Sequence, residues 1–221
     1  MEDRTAPYDL RFKTPSNYLL SGATQSGKTT WLRKFFEFQP VTEPIQHLLY
    51  FYADEDVNHQ YFRALPNMSI KFIQNWPDSL DELKDYLAKL PAKDHKAVVF
   101  DDLYNSMPKY VSTLFTVVGS HYKTSFFLLA QTLFGSPLLR QLSLNSKYIV
   151  LFKNARDKRV YSVLSSQIAP TRSHLLKQAF HQALEQPYSY IICDFDNAQR
   201  EFLRYRSHIF PQEWPLRIYT I

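Results

Sequence analysis

Gly22 and Gly27 bracket Ala23, Thr24, Gln25 and Ser26, and Lys28, Thr29 and Thr30 follow at once. The order matches G-x-x-x-x-G-K-[ST], a loop whose glycines let the backbone curl into a nest of N–H groups around a polyphosphate. A helix beginning at such a loop adds the positive end of its dipole. In that setting Lys28, expected to be exposed at the loop, reaches the β- and γ-phosphates, and the Thr29 hydroxyl is a ligand for Mg²⁺. The flanks suit the motif. Asn17-Tyr-Leu-Leu upstream has strand character, and Trp31-Leu-Arg-Lys-Phe-Phe-Glu-Phe downstream carries a helical apolar stripe. The residues predict a site for a nucleoside triphosphate.

Two carboxylates close the apolar run Ala97-Val-Val-Phe at Asp101 and Asp102. A carboxylate ending a strand after such a loop holds Mg²⁺ through water, opposite Thr29; this is the role expected of Asp101. Asp102 is placed to orient the attacking water as general base, with a helix or loop cap for structure from Asn105 onward as the bland alternative. Gln131 ends the next apolar run, Ser125-Phe-Phe-Leu-Leu-Ala. An amide there can sense the γ-phosphate or hold the lytic water, or can simply sit in a turn. After a further run, Asn154-Ala-Arg-Asp157 superficially resembles the guanine-reading N-K-x-D. Ala155 replaces its lysine, however, and Asp101-Asp102-Leu-Tyr is not D-x-x-G, which argues against a GTPase. Arg140 and Arg156 are candidates for a charge donated to a neighbour's phosphates.

The elements that must position these groups follow from periodicity. His47 to Ala53, Met68 to Ile73, Ala97 to Asp101, Ser125 to Gln131 and Lys147 to Phe152 read as strands. Ser79 to Leu90 reads as an amphipathic helix with Leu80, Leu83, Leu87 and Leu90 on one face, Asp78 or Ser79 at its start and Pro91 after its end. Helices are predicted over Pro108 to His121, Val160 to Gln167 and Ser173 to Leu184. Tyr188 to Asp194 and Glu201 to Arg206 read as a closing strand pair around a turn at Asp196-Asn197. Alternating strands and helices predict a three-layer α/β sandwich on a mostly parallel sheet, with active groups at the carboxyl ends of its strands.

Composition bounds the rest. A chain of 221 residues makes one domain, here 14–221, preceded by a polar stretch over 1–13 expected to be a loose arm. The net charge of +5 is compatible with a nucleic-acid partner. One cysteine, Cys193, excludes an internal disulfide framework and favours a reducing compartment. No run approaches membrane-spanning length and no leader is evident, so secretion is not expected.

With these motifs in hand, the sequence resembles the HerA/FtsK-type genome-packaging ATPases of double-stranded DNA viruses. The closest likeness is to those of Maverick/Polinton-like elements and virophages, related to the poxvirus packaging ATPase. The likeness runs from about Tyr18 to Pro211. It rests on Ser21 to Thr30, Phe100-Asp-Asp-Leu, Gly119-Ser-His-Tyr-Lys123, Leu129-Ala-Gln-Thr-Leu-Phe134, Leu144 to Asn154 with Arg156-Asp157, and His208-Ile-Phe-Pro. The block from Leu144 to Asp157 is its specific part. Lys123 stands where relatives often carry arginine, a candidate finger acting in trans, though with a point charge instead of a bidentate fork. Ala155 stands for a usual proline. The resemblance implies a fold of the additional-strand type and a Mg²⁺-dependent ATPase. It further implies a ring, expected to be a hexamer, that drives double-stranded DNA into a preformed capsid at the host cell's site of virus assembly, in nucleus or cytoplasm, or on the virion. Two rivals share the loop: a soluble nucleoside or nucleotide kinase, which needs neither Asp102 nor Gln131, and a cellular DNA-dependent repair-type ATPase.

Overall fold

In the computed structural model, which describes residues 8–54, 58–103 and 106–221, the apolar runs become strands. They are β1 (Asn17–Ser21), β2 (Ile45–Tyr52), β3 (Ser69–Gln74), β4 (His95–Asp101), β5 (Thr124–Ala130), β6 (Tyr148–Phe152), β7 (Tyr190–Asp194), β8 (Tyr205–Ser207) and β9 (Arg217–Ile218). They form one sheet in the order β3-β2-β4-β5-β1-β6-β7-β8-β9. The six strands from β3 to β6 in that order are parallel, and β7, β8 and β9 join antiparallel. Parallel strands need crossovers, and the helices that make them cover both faces, which is why β5 and β6 are buried throughout instead of alternating between buried and exposed.

Successive side chains along each strand enter opposite layers. Leu19, Val98, Phe100, Phe126 and Leu128 face one core, together with Leu83 and Leu87 of α3 (Leu80–Ala88), Leu139 and Leu142 of α6 (Pro137–Asn145), Leu164 of α7 (Arg159–Ile168) and Leu176 of α8 (Ser173–Ala183). Tyr18, Leu20, Ala97, Val99, Phe127 and Leu129 face the other. There they meet Trp31, Leu32, Phe35 and Phe36 of α1 (Lys28–Phe38) and Phe62 of α2 (Asn58–Arg63). This is the expected three-layer sandwich. β5 lies between the strand that feeds the glycine loop and the strand that ends in Asp101, as the additional-strand arrangement requires.

Most expected elements stand, with shifted ends. Ser79 caps α3, its Oγ accepting from the Glu82 amide at 3.1 Å, while the Glu82 carboxylate accepts from the Asp78 amide at 2.6 Å. The two bonds draw on both residues proposed for the start, in a variant of the capping box in which the carboxylate takes the amide one residue ahead of the cap. The helix predicted from Pro108 begins instead at Val111: α4 (Val111–Thr113) runs through a π-helical segment, Leu114–Val118, into α5 (Gly119–His121). The last expected strand is overturned in its first half. Glu201–Leu203 is a 3₁₀ turn, and pairing starts only at Tyr205. Arg204 draws the chain inward there, its Nη1 donating to the carbonyl oxygens of Asp194 and Asp196 at 2.9 and 3.1 Å. Helices α2 and α6 were not anticipated.

Of the stretch expected as an arm, residues 1–7 lie outside the described residues. Phe12 is buried among Tyr18, Trp31, Phe35 and Tyr148. Its amide donates to the Pro40 carbonyl at 2.8 Å, and the Lys13 amide to Tyr148 Oη at 2.8 Å. Packing therefore begins ahead of residue 14.

Candidate functional site

The glycine loop leaves β1 at Ser21 and enters α1 at Lys28, with two geometric demands on its glycines. A Cβ on Gly22 would lie 2.6 Å from Phe152 Cβ and from Ser26 Oγ, so the loop can press against β6 only because that position is bare. Gly27 has φ of 101°, a left-handed conformation that other residues adopt at a cost. Gln25 is left-handed as well, with φ of 61°. Alternation of this kind turns successive N–H groups toward one concavity, the geometry of an anion nest. Ala23, Thr24, Gln25 and Ser26 form its rim, and Thr29 and Thr30 begin the helix behind it.

Lys28 departs from expectation. It is only 7% exposed, because its Nζ bends over the loop and donates to the carbonyl oxygens of Gly22 and Ala23 at 2.7 and 2.9 Å. Burial lowers its pKa, and the carboxylates of Asp102 and Asp101 pull it back up, Asp102 the more strongly. The ammonium thus sits between the loop and the carboxyl end of β4, where a phosphate in the nest would take over its donors.

Asp101 closes β4 and is held from the next strand: Tyr50, buried in β2, donates its hydroxyl to Oδ2 at 2.5 Å. Asp102 is exposed and left-handed, φ 53°, so the chain breaks sharply away from the sheet one residue after the strand. A non-glycine residue in this conformation costs about 1–3 kcal/mol and persists where its surroundings impose it. The alternative role of Asp102, as a cap for structure from Asn105 onward, falls on residues outside the described set.

Gln131 follows β5 and reaches the loop, its Nε2 donating to Thr24 Oγ1 at 3.2 Å. β5 is anchored there by its backbone too, since the Gly22 amide donates to the Ala130 carbonyl at 3.2 Å. The end of β6 is tied to the same edge: Thr132 Oγ1 donates to Asp157 Oδ2 at 3.4 Å. Asn154 builds that turn by accepting on Oδ1 from the amides of Arg156 and Asp157 at 3.0 and 3.1 Å. The bonds holding the turn are donated by Arg156 and Asp157, so an alanine at 155 suffices. Arg156 is exposed on this edge of the sheet.

Lys123 is elsewhere. It precedes β5, at the opposite end of a seven-residue strand from Gln131, about 26 Å away along the sheet. Its Nζ donates to the Lys93 carbonyl at 3.4 Å. Arg140 is exposed on α6.

The tertiary structure therefore gathers Lys28, Asp101, Asp102, Gln131, the glycine loop and the Arg156 turn at one sheet edge, and leaves Lys123 at the other. Two participants escaped the sequence reading. Tyr50 is one of several aromatics in a buried run, and nothing in its spacing marks it as the partner of Asp101. Tyr188 stands 72% exposed beside Gly27, where only the path of the chain into β7 brings it.

The fold is similar to that of the genome packaging NTPase B204 from Sulfolobus turreted icosahedral virus 2, solved in complex with ATP-gammaS. The two superpose with a TM-score of 0.58 at 12% identity, over 94% of this chain and 98% of that one. Weaker likenesses include EssC (ATPases 2 and 3) from Geobacillus thermodenitrificans, TM-score 0.47 and 17% identity, over 68% of this chain and 34% of that one. The pCW3 conjugation coupling protein TcpA, in its monomer form with ATPgS, gives 0.46 and 13% over 81% and 57%. No protein-family model and no curated protein matches the sequence. The fold is that of a P-loop NTPase, shared with a viral genome-packaging NTPase over nearly the full length of both chains.

Proposed function

We propose that this protein is a Mg²⁺-dependent ATPase motor that drives double-stranded DNA into a preformed viral capsid as part of a homo-oligomeric ring, a hexamer in the simplest arrangement. The observation that carries the reading is the convergence of Lys28, Asp101, Asp102 and Gln131 on the glycine loop, with β5 inserted between the loop strand and β4. A small-molecule kinase uses the loop but has no call for a carboxylate after Asp101 or an amide over Thr24. The full-length likeness to a packaging NTPase supports the DNA-moving role, as does the net charge of +5.

In this mechanism the loop amides and the α1 N-terminus take the β- and γ-phosphates of ATP, and Lys28 transfers its hydrogen bonds from the Gly22 and Ala23 carbonyls to phosphate oxygens. The donor set of Thr29 hydroxyl and Asp101 carboxylate is hard oxygen throughout, which fits Mg²⁺; these two residues would hold the ion, which would supply positive charge beside the β- and γ-phosphates. Asp102 accepts a proton from the attacking water, and Gln131 holds that water in line while the bond from the γ-phosphorus to the bridging oxygen breaks. Arg156, on the same edge, supplies a positive charge to the site of a neighbouring subunit. Lys123 could do so only if the neighbour's site meets the opposite edge of this one. DNA is gripped through its phosphates and not read by its bases. Such a protein works where virions assemble in the host cell or travels with them.

The test is ATP turnover with and without duplex DNA. Hydrolysis stimulated by duplex DNA and lost in Lys28→Ala is the expected result. Turnover unaffected by DNA, with phosphate passed to a nucleoside or nucleotide, would return the reading to a kinase.

A further inference from the structure

One cavity beside the loop is not used by the chemistry above. It has a volume of about 410 Å³ and is bounded by Gly27, Thr30 and Trp31 on the α1 side and by Phe152, Tyr188 and Glu213 across from them. Tyr188 is the unusual wall. Its backbone is left-handed, φ 60°, and its ring stands 72% exposed, in contact with no other ring or cation among the described residues. The built position of a Cβ on Gly27 lies 3.7 Å from Tyr188 Cβ, so this tyrosine leans on the glycine loop itself. An aromatic face left open in a cavity of ligand size next to a phosphate nest calls for a flat partner.

The topology says which part of a nucleotide that is. Asp101, Asp102 and Gln131 end β4 and β5, which lie on one side of β1, so the terminal phosphate belongs to that side. Phe152 ends β6 and Tyr188 leads into β7, on the other side of β1. A nucleotide whose γ-phosphate meets the carboxylates therefore runs across the loop toward Tyr188. A second cavity, about 250 Å³, shares Thr30 but opens beside Tyr61 on α2. It lies on the carboxylate side, and the Arg33 guanidinium, 5.6 Å from the ring centroid, covers the Tyr61 ring.

We infer that the cavity at Tyr188 is the nucleobase subsite, with the base stacked on the Tyr188 ring and its edge toward the Glu213 wall. The inference rests on the nucleoside-triphosphate reading of the loop. Glu213 is already engaged by Lys34 Nζ at 2.8 Å and Tyr190 Oη at 2.5 Å, so it is a fixed wall and not a mobile side chain. Tyr188 is a binding residue here, and its loss acts on affinity and not on the chemical step.

The experiment measures ATP binding and turnover, and inhibition by tripolyphosphate, in the full chain and in Tyr188→Ala, Tyr188→Phe and Tyr61→Ala. Base–aromatic stacking predicts that Tyr188→Ala raises the Kd and KM for ATP about 5- to 150-fold, with kcat at saturation and the tripolyphosphate inhibition constant unchanged. Tyr188→Phe keeps the ring and so keeps the affinity. Because Tyr188 is exposed, these variants keep their core, and a wild-type circular dichroism spectrum checks it. An unchanged ATP affinity in Tyr188→Ala overturns the inference, and a loss in Tyr61→Ala instead moves the base to the other cavity. If wild-type protein binds neither ATP nor tripolyphosphate, the phosphate-loop reading itself fails and takes this one with it.

Discussion

Replacing Tyr50 by phenylalanine isolates one oxygen atom. The ring stays packed, with its centroid 4.9 Å from that of Phe62 and 5.4 Å from that of Phe72, so no cavity opens in the core. What disappears is the 2.5 Å hydrogen bond that fixes Asp101 Oδ2. A hydrogen bond to a charged acceptor contributes about 1.5–3 kcal/mol, which for a domain of this size corresponds to a fall of about 3–12 °C in Tm. The functional effect is more telling. A group that orients a metal-holding carboxylate changes metal affinity or activity by about 10- to 100-fold when removed. Titrating ATPase activity with Mg²⁺ at fixed nucleotide should therefore show half-saturation displaced upward by about that factor in Tyr50→Phe. Binding of nucleotide without the metal should stay as in the wild type. If Tyr50→Phe melts several degrees lower yet shows the same Mg²⁺ dependence, the hydroxyl serves only stability, and Asp101 is not the carboxylate that holds the ion.

Lys28→Ala should abolish turnover and leave a folded protein with a Tm within a few degrees of the wild type, because the two bonds it loses to loop carbonyls are offset by relief of a buried charge; normal turnover in that variant would remove the loop from the mechanism. Asp101→Asn should cripple Mg²⁺-dependent hydrolysis, whereas Asp102→Asn should slow hydrolysis by about 10²- to 10⁴-fold with little change in ATP affinity, read by single-turnover kinetics beside equilibrium binding. Equal rates in Asp102→Asn and the wild type would leave Gln131 as the group holding the water. Mixing Lys28→Ala subunits with Arg156→Ala subunits should restore part of the activity, since some boundaries then pair an intact loop with an intact finger; no rescue there, nor with Lys123→Ala or Arg140→Ala, would refute a shared site. Finally, Arg206 and Asp194 form a fully buried ion pair at 2.9 Å, and Asp194→Asn should cost about 3–5 kcal/mol by stranding the guanidinium, visible in a urea melt as a lower midpoint.

How much of this was legible beforehand depended on the range of the interaction. The glycine loop could be read because its chemistry is local: Gly22, Gly27, Lys28 and Thr29 are neighbours in the chain, and their backbone makes the nest without help from afar. The parallel strands were legible because burial on both faces leaves continuous apolar runs such as Tyr148–Phe152. Asp101 and Gln131 were placed by their position at the ends of such runs. The second half of the last expected strand was legible and its first half was not, because Glu201–Leu203 turns under contacts that Arg204 makes with the carbonyls of Asp194 and Asp196 at the end of the preceding strand. Lys28 was expected in the open, but the loop's own carbonyls offer partners that a sequence does not display.

The sequence by itself determined the nest, the pair of carboxylates, the amide and the alternation of elements, since each is encoded in residues close together along the chain. The order of the strands decided the rest. By setting β5 between β1 and β4, the fold brings Gln131 to Thr24 and both carboxylates to Lys28. The same order puts Lys123 at the far edge of the sheet, gives Asp101 to Tyr50, and lays Tyr188 against Gly27. These contacts join residues far apart in sequence, and strand order is selected by how two whole layers of side chains pack, a property that no single stretch of the chain carries.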